Sequence, residues 1–168
     1  DLVRSRGLGD VYKRQDIKIQ KKPAFTVAGV LLEAIDNSKC PSAWENLYNN
    51  YSLESLESLG SGQSFGICSD VKEGEIINYM AAYDVTDKAK AEELGLSIKD
   101  VPAAEYAIVP VKGPIPASIH NAWKYVLEVF FPETGYRHSG SPDFEVYTEG
   151  DMSSPDYQME LWIPVIKN

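Results

Sequence analysis

Pro102-Ala103-Ala104-Glu105-Tyr106-Ala107-Ile108-Val109 repeats an earlier stretch, Pro23-Ala24-Phe25-Thr26-Val27-Ala28-Gly29-Val30, at an offset of 79 residues. Both stretches are apolar and β-branched enough for buried strands. The same offset carries Ile19 onto Ile98, Ala43-Trp44 onto Ala122-Trp123, Phe65 onto Phe144 and Met80 onto Met159, with no gap. Self-similarity at a fixed period is the mark of a duplicated structural unit.

Each copy reads strand, helix, strand, strand. In the first, Phe25–Leu32 is followed by a helix opening at Cys40-Pro41-Ser42, with Ser42 as candidate N-cap and Trp44, Leu47, Tyr48 and Tyr51 at helical spacing. Ser64–Asp70 and Glu75–Asp84 are strands joined by a turn at Lys72-Glu73-Gly74. In the second, the strand Ala104–Lys112 leads through Pro114 and Pro116 into a helix over Ala117–Phe131, ended by Pro132 and Gly135. Asp143–Thr148 and Gln158–Ile166 are the last strands, and Thr86–Leu96 reads as a short connecting helix. The expected fold class is α+β: duplicated β-α-β-β units with pseudo-two-fold symmetry, an antiparallel sheet with two packed helices. Copy one spans about residues 16–85, the linker 86–96 and copy two 97–168. The cleft between the copies is the natural ligand site, because side chains converge there from both halves.

The first fifteen residues, DLVRSRGLGDVYKRQ, fit neither periodicity and differ in composition from the rest. They read as a non-native, adaptor-like or disordered segment, with a native basic arm as the alternative. Without them, 12 basic and 23 acidic residues leave a net charge of −11. Such a body repels phosphate backbones, so direct nucleic-acid binding by this chain is not expected. No apolar run approaches the roughly 20 residues of a membrane span, and no secretory signal is visible. The expected location is the cytoplasm, with Cys40 and Cys68 as reduced thiols. His120 and His138 lack partners at metal-binding spacing, and no phosphate loop or nucleophile elbow is present. No metal and no cofactor are expected.

Strand alternation puts Gln158, Glu160, Trp162 and Pro164 on one face of the last strand and Tyr157, Met159, Leu161 and Ile163 on the other. At the 79-residue offset Glu160 stands where copy one keeps Ala81, among Tyr79, Tyr83 and Trp162. Such a carboxylate can pair with an organic cation, act as a general acid or base, or be an ordinary exposed strand residue. Tyr147 shares a face with Glu145. Trp44 and Trp123 lie on helix stripes that suit either core or pocket, and Tyr136 lies just past a helix end.

The series Val101-Pro102-Ala103-Ala104-Glu105-Tyr106-Ala107, Ala122-Trp123, Pro132-Glu133-Thr134-Gly135-Tyr136, Pro142-Asp143-Phe144-Glu145-Val146-Tyr147 and Met159-Glu160-Leu161-Trp162-Ile163-Pro164-Val165 resembles the GyrI-like family. That family is also known as the effector-binding domain of AraC-type regulators. The resemblance covers residues 16–168. It implies a ligand groove between the repeats and an acidic residue on the last strand before the Pro-Val ending, the position of Glu160. It also implies that Trp123, Tyr147 and Tyr136 lie near the groove; Trp162 and Tyr79 join them as neighbours of Glu160. Family roles include sensing domains fused behind a helix-turn-helix, standalone ligand binders or gyrase modulators, and hydrolases that open cyclopropane rings in alkylating natural products. The expected function is therefore binding of amphipathic, cationic or aromatic small molecules. The protein would act as a standalone binder or as the sensor of a regulator whose helix-turn-helix is fused or missing. The alternative is a hydrolase using Glu160 in the same pocket.

Overall fold

The computed structural model describes residues 16–72 and 75–168. The N-terminal fifteen residues and the centre of the turn at Lys72-Glu73-Gly74 lie outside that range. Nine strands form the sheet: β1 Lys18–Lys22, β2 Phe25–Asp36, β3 Ser64–Lys72, β4 Ile76–Val85, β5 Ser97–Val101, β6 Ala104–Lys112, β7 Tyr136–His138, β8 Asp143–Val146 and β9 Gln158–Lys167. The order is β1-β6-β9-β8-β3-β4-β2-β5, with β7 on the end of β9, and all pairs are antiparallel. Helices α1 Pro41–Asn50, α2 Leu53–Glu57 and α3 Lys88–Glu93 belong to the first half and the connection. In the second half α4 Ala117–Tyr125 runs through a π-helical stretch, Val126–Phe130, into α5 Phe131–Thr134.

The two copies meet where β3 pairs with β8, and the registry there displays the duplication. Phe65 lies opposite Val146 and Ile67 opposite Phe144, so repeat-related residues face one another across a local two-fold axis. Strands β1 and β5, absent from the sequence-based reading, tie the halves together by exchange. Strand β1 opens copy one but pairs with β6 of copy two, and β5 opens copy two but pairs with β2 of copy one. The pairs Ile19–Ala107 and Ile98–Ala28 are symmetry mates. Neither half can unfold its leading strand without exposing an edge of the other.

Three smaller expectations change. Ser42 is inside α1 rather than at its cap; Cys40 holds the cap position and makes no side-chain bond there. Pro132 does not end the second helix, which continues to Thr134 and stops at Gly135 with a φ of 82°. The π-helical widening immediately before Pro132 accommodates a residue that has no N–H to donate and crowds the preceding turn. Tyr136 follows as a short strand rather than a loop.

The larger correction is one of register. Phe65 lies opposite Ala82, and its repeat mate Phe144 lies opposite Trp162. Likewise Gly29 faces Ala82 and its mate Ile108 faces Trp162. In the last strand of each copy the equivalence is thus 80 residues rather than 79. From Phe144 to its partner Trp162 the chain is one residue longer than from Phe65 to its partner Ala82. Glu160 corresponds to Met80, not Ala81, and Met159 corresponds to Tyr79. A slip of one residue moves every side chain to the opposite face.

The sheet has different partners on its two faces. On the outer face α1 to α3 cover Ala28, Tyr79, Ala81 and Tyr83, while α4 and its extension cover Val109, Met159, Leu161 and Ile163. The inner face is built from strand residues alone, including Val27, Phe65, Ile67, Met80, Tyr106, Phe144 and Val146. Met80 and Met159, matched at the 79-residue offset, are both buried, but in cores on opposite faces. Phe25 on β2 comes within 5.6 Å of Phe144 on β8, ring to ring, although three strand steps separate them. In a flat sheet that separation would be about 14 Å. The sheet therefore curls over its aromatic inner face. The same curvature splays the two helical layers apart on the outer face, and the groove between them lies over the local two-fold axis.

Candidate functional site

The floor of the groove is the outer face of β4, β3 and β8. Its walls come from α1 (Trp44, Tyr48), the start of α4 (Ile119, His120) and the preceding Ile115-Pro116. The cavity measures about 960 Å³ and is also lined by Cys40, Cys68, Tyr79, Glu145, Tyr147 and Met152. A second cavity of about 550 Å³ continues from it toward Trp123, His138 and Asp143.

Glu145 sits at the centre of the floor. It lies directly opposite Gly66, its own repeat mate, and a Cβ on Gly66 would come within 2.2 Å of the Tyr79 hydroxyl and 2.3 Å of Glu145 Oε1. Only a residue without a side chain leaves room there for the carboxylate. Tyr79 and Tyr147 both donate to Glu145 Oε1, at 2.8 and 2.7 Å. The Trp44 indole N–H donates to the Tyr79 hydroxyl at 2.9 Å, directing the tyrosine proton toward the carboxylate. No buried side-chain polar atom among the described residues lacks a partner, so Glu145 Oε2, which accepts no hydrogen bond from the described residues, is reached from the cavity. Burial pushes the Glu145 pKa up, against the two tyrosine bonds that favour its ionised form. Burial and the adjacent carboxylate push both tyrosines up as well, so they stay neutral donors. Burial raises the Cys40 thiol to about 11 and Cys68 further still, and neither is a thiolate at neutral pH.

Aromatic rings surround this carboxylate. Trp44 stacks on Tyr48 with centroids 5.9 Å apart and meets Tyr147 edge-on at 5.5 Å. The cavity has acidic lining residues in Asp36, Glu75 and Glu145, and no Lys or Arg among the described ones.

Of the six residues singled out from the sequence, Tyr79 and Tyr147 flank Glu145, and Trp123 lines the second cavity. The other three are elsewhere. Tyr136 stacks on Phe130 at 6.4 Å, with the Lys167 ammonium 4.2 Å from its ring. Trp162 is part of the inner aromatic core, within 5.7 Å of Phe65 and covered by the Lys22 ammonium at 4.3 Å. Glu160 is exposed on that inner side and accepts the Trp162 indole N–H at 3.0 Å. The expected grouping of Glu160 with Tyr79 and Tyr83 is overturned by the one-residue register shift. Glu145 was missed as the central carboxylate, although two signals marked it. Alternation placed it beside Tyr147, and the gap-free offset paired it with a glycine.

The chain belongs to the GyrI-like small-molecule-binding domain family, which matches residues 15–166. No curated protein matches the sequence. Among solved structures, SAV2435 bound to tetraphenylphosphonium superposes with a TM-score of 0.74 at 20% identity, covering 89% of this chain and 93% of that one. The EcmrR C-terminal domain gives 0.66 at 20% identity, over 90% and 98%. A hydrolase encoded by lin2189 from Listeria innocua gives 0.60 at 13% identity, over 96% and 98%. At these identities the likeness is one of fold. Among the described residues no helix is long and apolar enough to cross a membrane.

Proposed function

We propose that this GyrI-like domain binds amphipathic organic cations in the groove, with the positive centre beside Glu145 and apolar or aromatic arms against Trp44, Tyr48, Tyr147 and Ile119. The observation that carries this reading is the carboxylate itself. One oxygen is fixed by two hydroxyls and the other is open to a large, mostly apolar cavity with no Lys or Arg among its described lining residues. A cation entering that cavity meets a pre-oriented negative charge in a low-dielectric setting, and aromatic faces add cation–π attraction. SAV2435, of like fold, is described with a cation of this kind. The EcmrR likeness supports a sensing role within a regulator, and a standalone binder would use the same groove.

Titration calorimetry with tetraphenylphosphonium tests it. Glu145→Gln keeps shape and both tyrosine bonds but removes the charge, and should weaken binding about 10- to 100-fold, roughly 1.4–2.8 kcal/mol. Unchanged affinity in that variant would sink the proposal. Binding selects the ionised carboxylate, so affinity in the native protein should climb as pH rises through the elevated Glu145 pKa, then level off. The hydrolase reading uses the same group. A carboxyl whose pKa burial raises can, in its protonated form, pass a proton to one carbon of an opening ring while water adds to the other, and turnover of a cyclopropane-bearing alkylator, lost in Glu145→Gln, would favour it.

A further inference from the structure

The second cavity repeats the chemistry of the first. It shares Asn37, Cys68, Glu75, Ile119, His120 and Glu145 with the first, so the two form one continuous groove. Its carboxylate is Asp143, 8% exposed, two residues before Glu145 on β8 and hence on the same face, about 6.6 Å away along the strand. Asp143 Oδ2 lies 3.2 Å from His138 Nε2. The Gly140 N–H donates to His138 Nδ1 at 2.9 Å. With Nδ1 accepting, a neutral His138 carries its proton on Nε2 and donates it to Asp143. Trp123 stacks on His138 at 6.3 Å with the planes 22° apart, giving the subsite an aromatic wall. Trp123 is the repeat mate of Trp44. Each copy thus sets its helix tryptophan against a side chain that hydrogen-bonds one of two neighbouring carboxylates, Trp44 on Tyr79 and Trp123 on His138.

The charge balance points the same way. The second cavity is lined by Asp70, Glu75, Asp143 and Glu145, with two histidines and no Lys or Arg among the described residues. A single cation at Glu145 leaves the Asp143 carboxylate, hydrogen-bonded to His138, facing the same groove, where its charge disfavours ionisation of Glu145.

We infer that the groove is bipartite and is matched to compact aromatic dications, which lie along β8 with one positive centre at Glu145 and the other at Asp143. This rests on the reading of the Glu145 cavity as a cation site, which it extends from one charge to two.

A matched pair of probes separates the two ideas. Methyl viologen and N-methyl-4-phenylpyridinium share a two-ring skeleton and differ in carrying two charges or one. By calorimetry at low ionic strength, the native protein should bind the dication at least tenfold more tightly. Asp143→Asn should remove that advantage while leaving the monocation within about twofold, whereas Glu145→Gln should weaken both. Equal affinity for the two probes in the native protein, a comparison that needs no variant, would overturn the bipartite groove. So would equal weakening of both probes by Asp143→Asn. If neither probe binds, or Glu145→Gln changes neither, the cation reading falls and the second subsite with it.

Discussion

Glu145 and Glu160 stand on adjacent strands, one residue out of step, and that step separates two different fates. Val146 faces Glu160 directly, so the neighbour of Glu145, not Glu145 itself, shares its side of the sheet with Glu160. Glu145 points into the groove between the helices, where two tyrosines and a glycine were needed to seat it. Glu160 points to the other side, where solvent is available and one indole N–H suffices. The same side-chain type, a few ångströms apart, is an expensive buried charge in one place and an ordinary surface residue in the other. What distinguishes them is not composition or local propensity but the parity of a strand.

The comparison can be broken at Gly66. Alanine there would overlap the Tyr79 hydroxyl and Glu145 Oε1, so Gly66→Ala should cost about 1–3 kcal/mol of stability in denaturant unfolding. It should also abolish measurable cation binding. A variant as stable and as competent as the native protein would show that the close packing at the axis is not needed. A smaller effect of opposite sign is expected from Glu145→Gln without ligand. Burial raises the folded-state pKa above the unfolded one, so the ionised carboxylate opposes folding above the shifted pKa. At neutral pH the glutamine variant should be the more stable of the two, and the gain should vanish as pH falls toward the ordinary carboxylate range. Denaturant midpoints measured across pH check both sign and window. The smallest effect belongs to Glu160→Gln, expected to change stability by less than about 0.5 kcal/mol and cation affinity by less than about twofold. A loss of binding there comparable to that of Glu145→Gln would reverse the assignment.

Much of the architecture was legible in the chain. The repeat disclosed the duplication, and alternation sorted β9 correctly into a buried face (Met159, Leu161, Ile163) and a second face (Glu160, Trp162). Whether a carboxylate has a counterpart in the sister copy depends on the offset, and the offset changes where the chain between β8 and β9 gains a residue. Within β3 and β8 the offset is 79, and there it pairs Glu145 with Gly66. Beyond that connection the offset is 80, and matching methionine to methionine gave no warning, because both are buried whichever face they occupy. Strands β1 and β5 were missed because they are short and polar, and they gain their order by pairing with the opposite copy.

By itself the sequence determined the duplicated α+β plan, the acidic body and the aromatic supply, since period, charge and strand alternation are properties of the chain read locally. Only the tertiary structure decided which carboxylate faces the groove. That depends on the register between strands and on the curl that closes one face of the sheet over its aromatic core while opening the other between its helices. Register is set by hydrogen-bonded pairing between residues far apart in the chain, and one inserted residue, nearly invisible in a repeat, reverses the face of every side chain that follows.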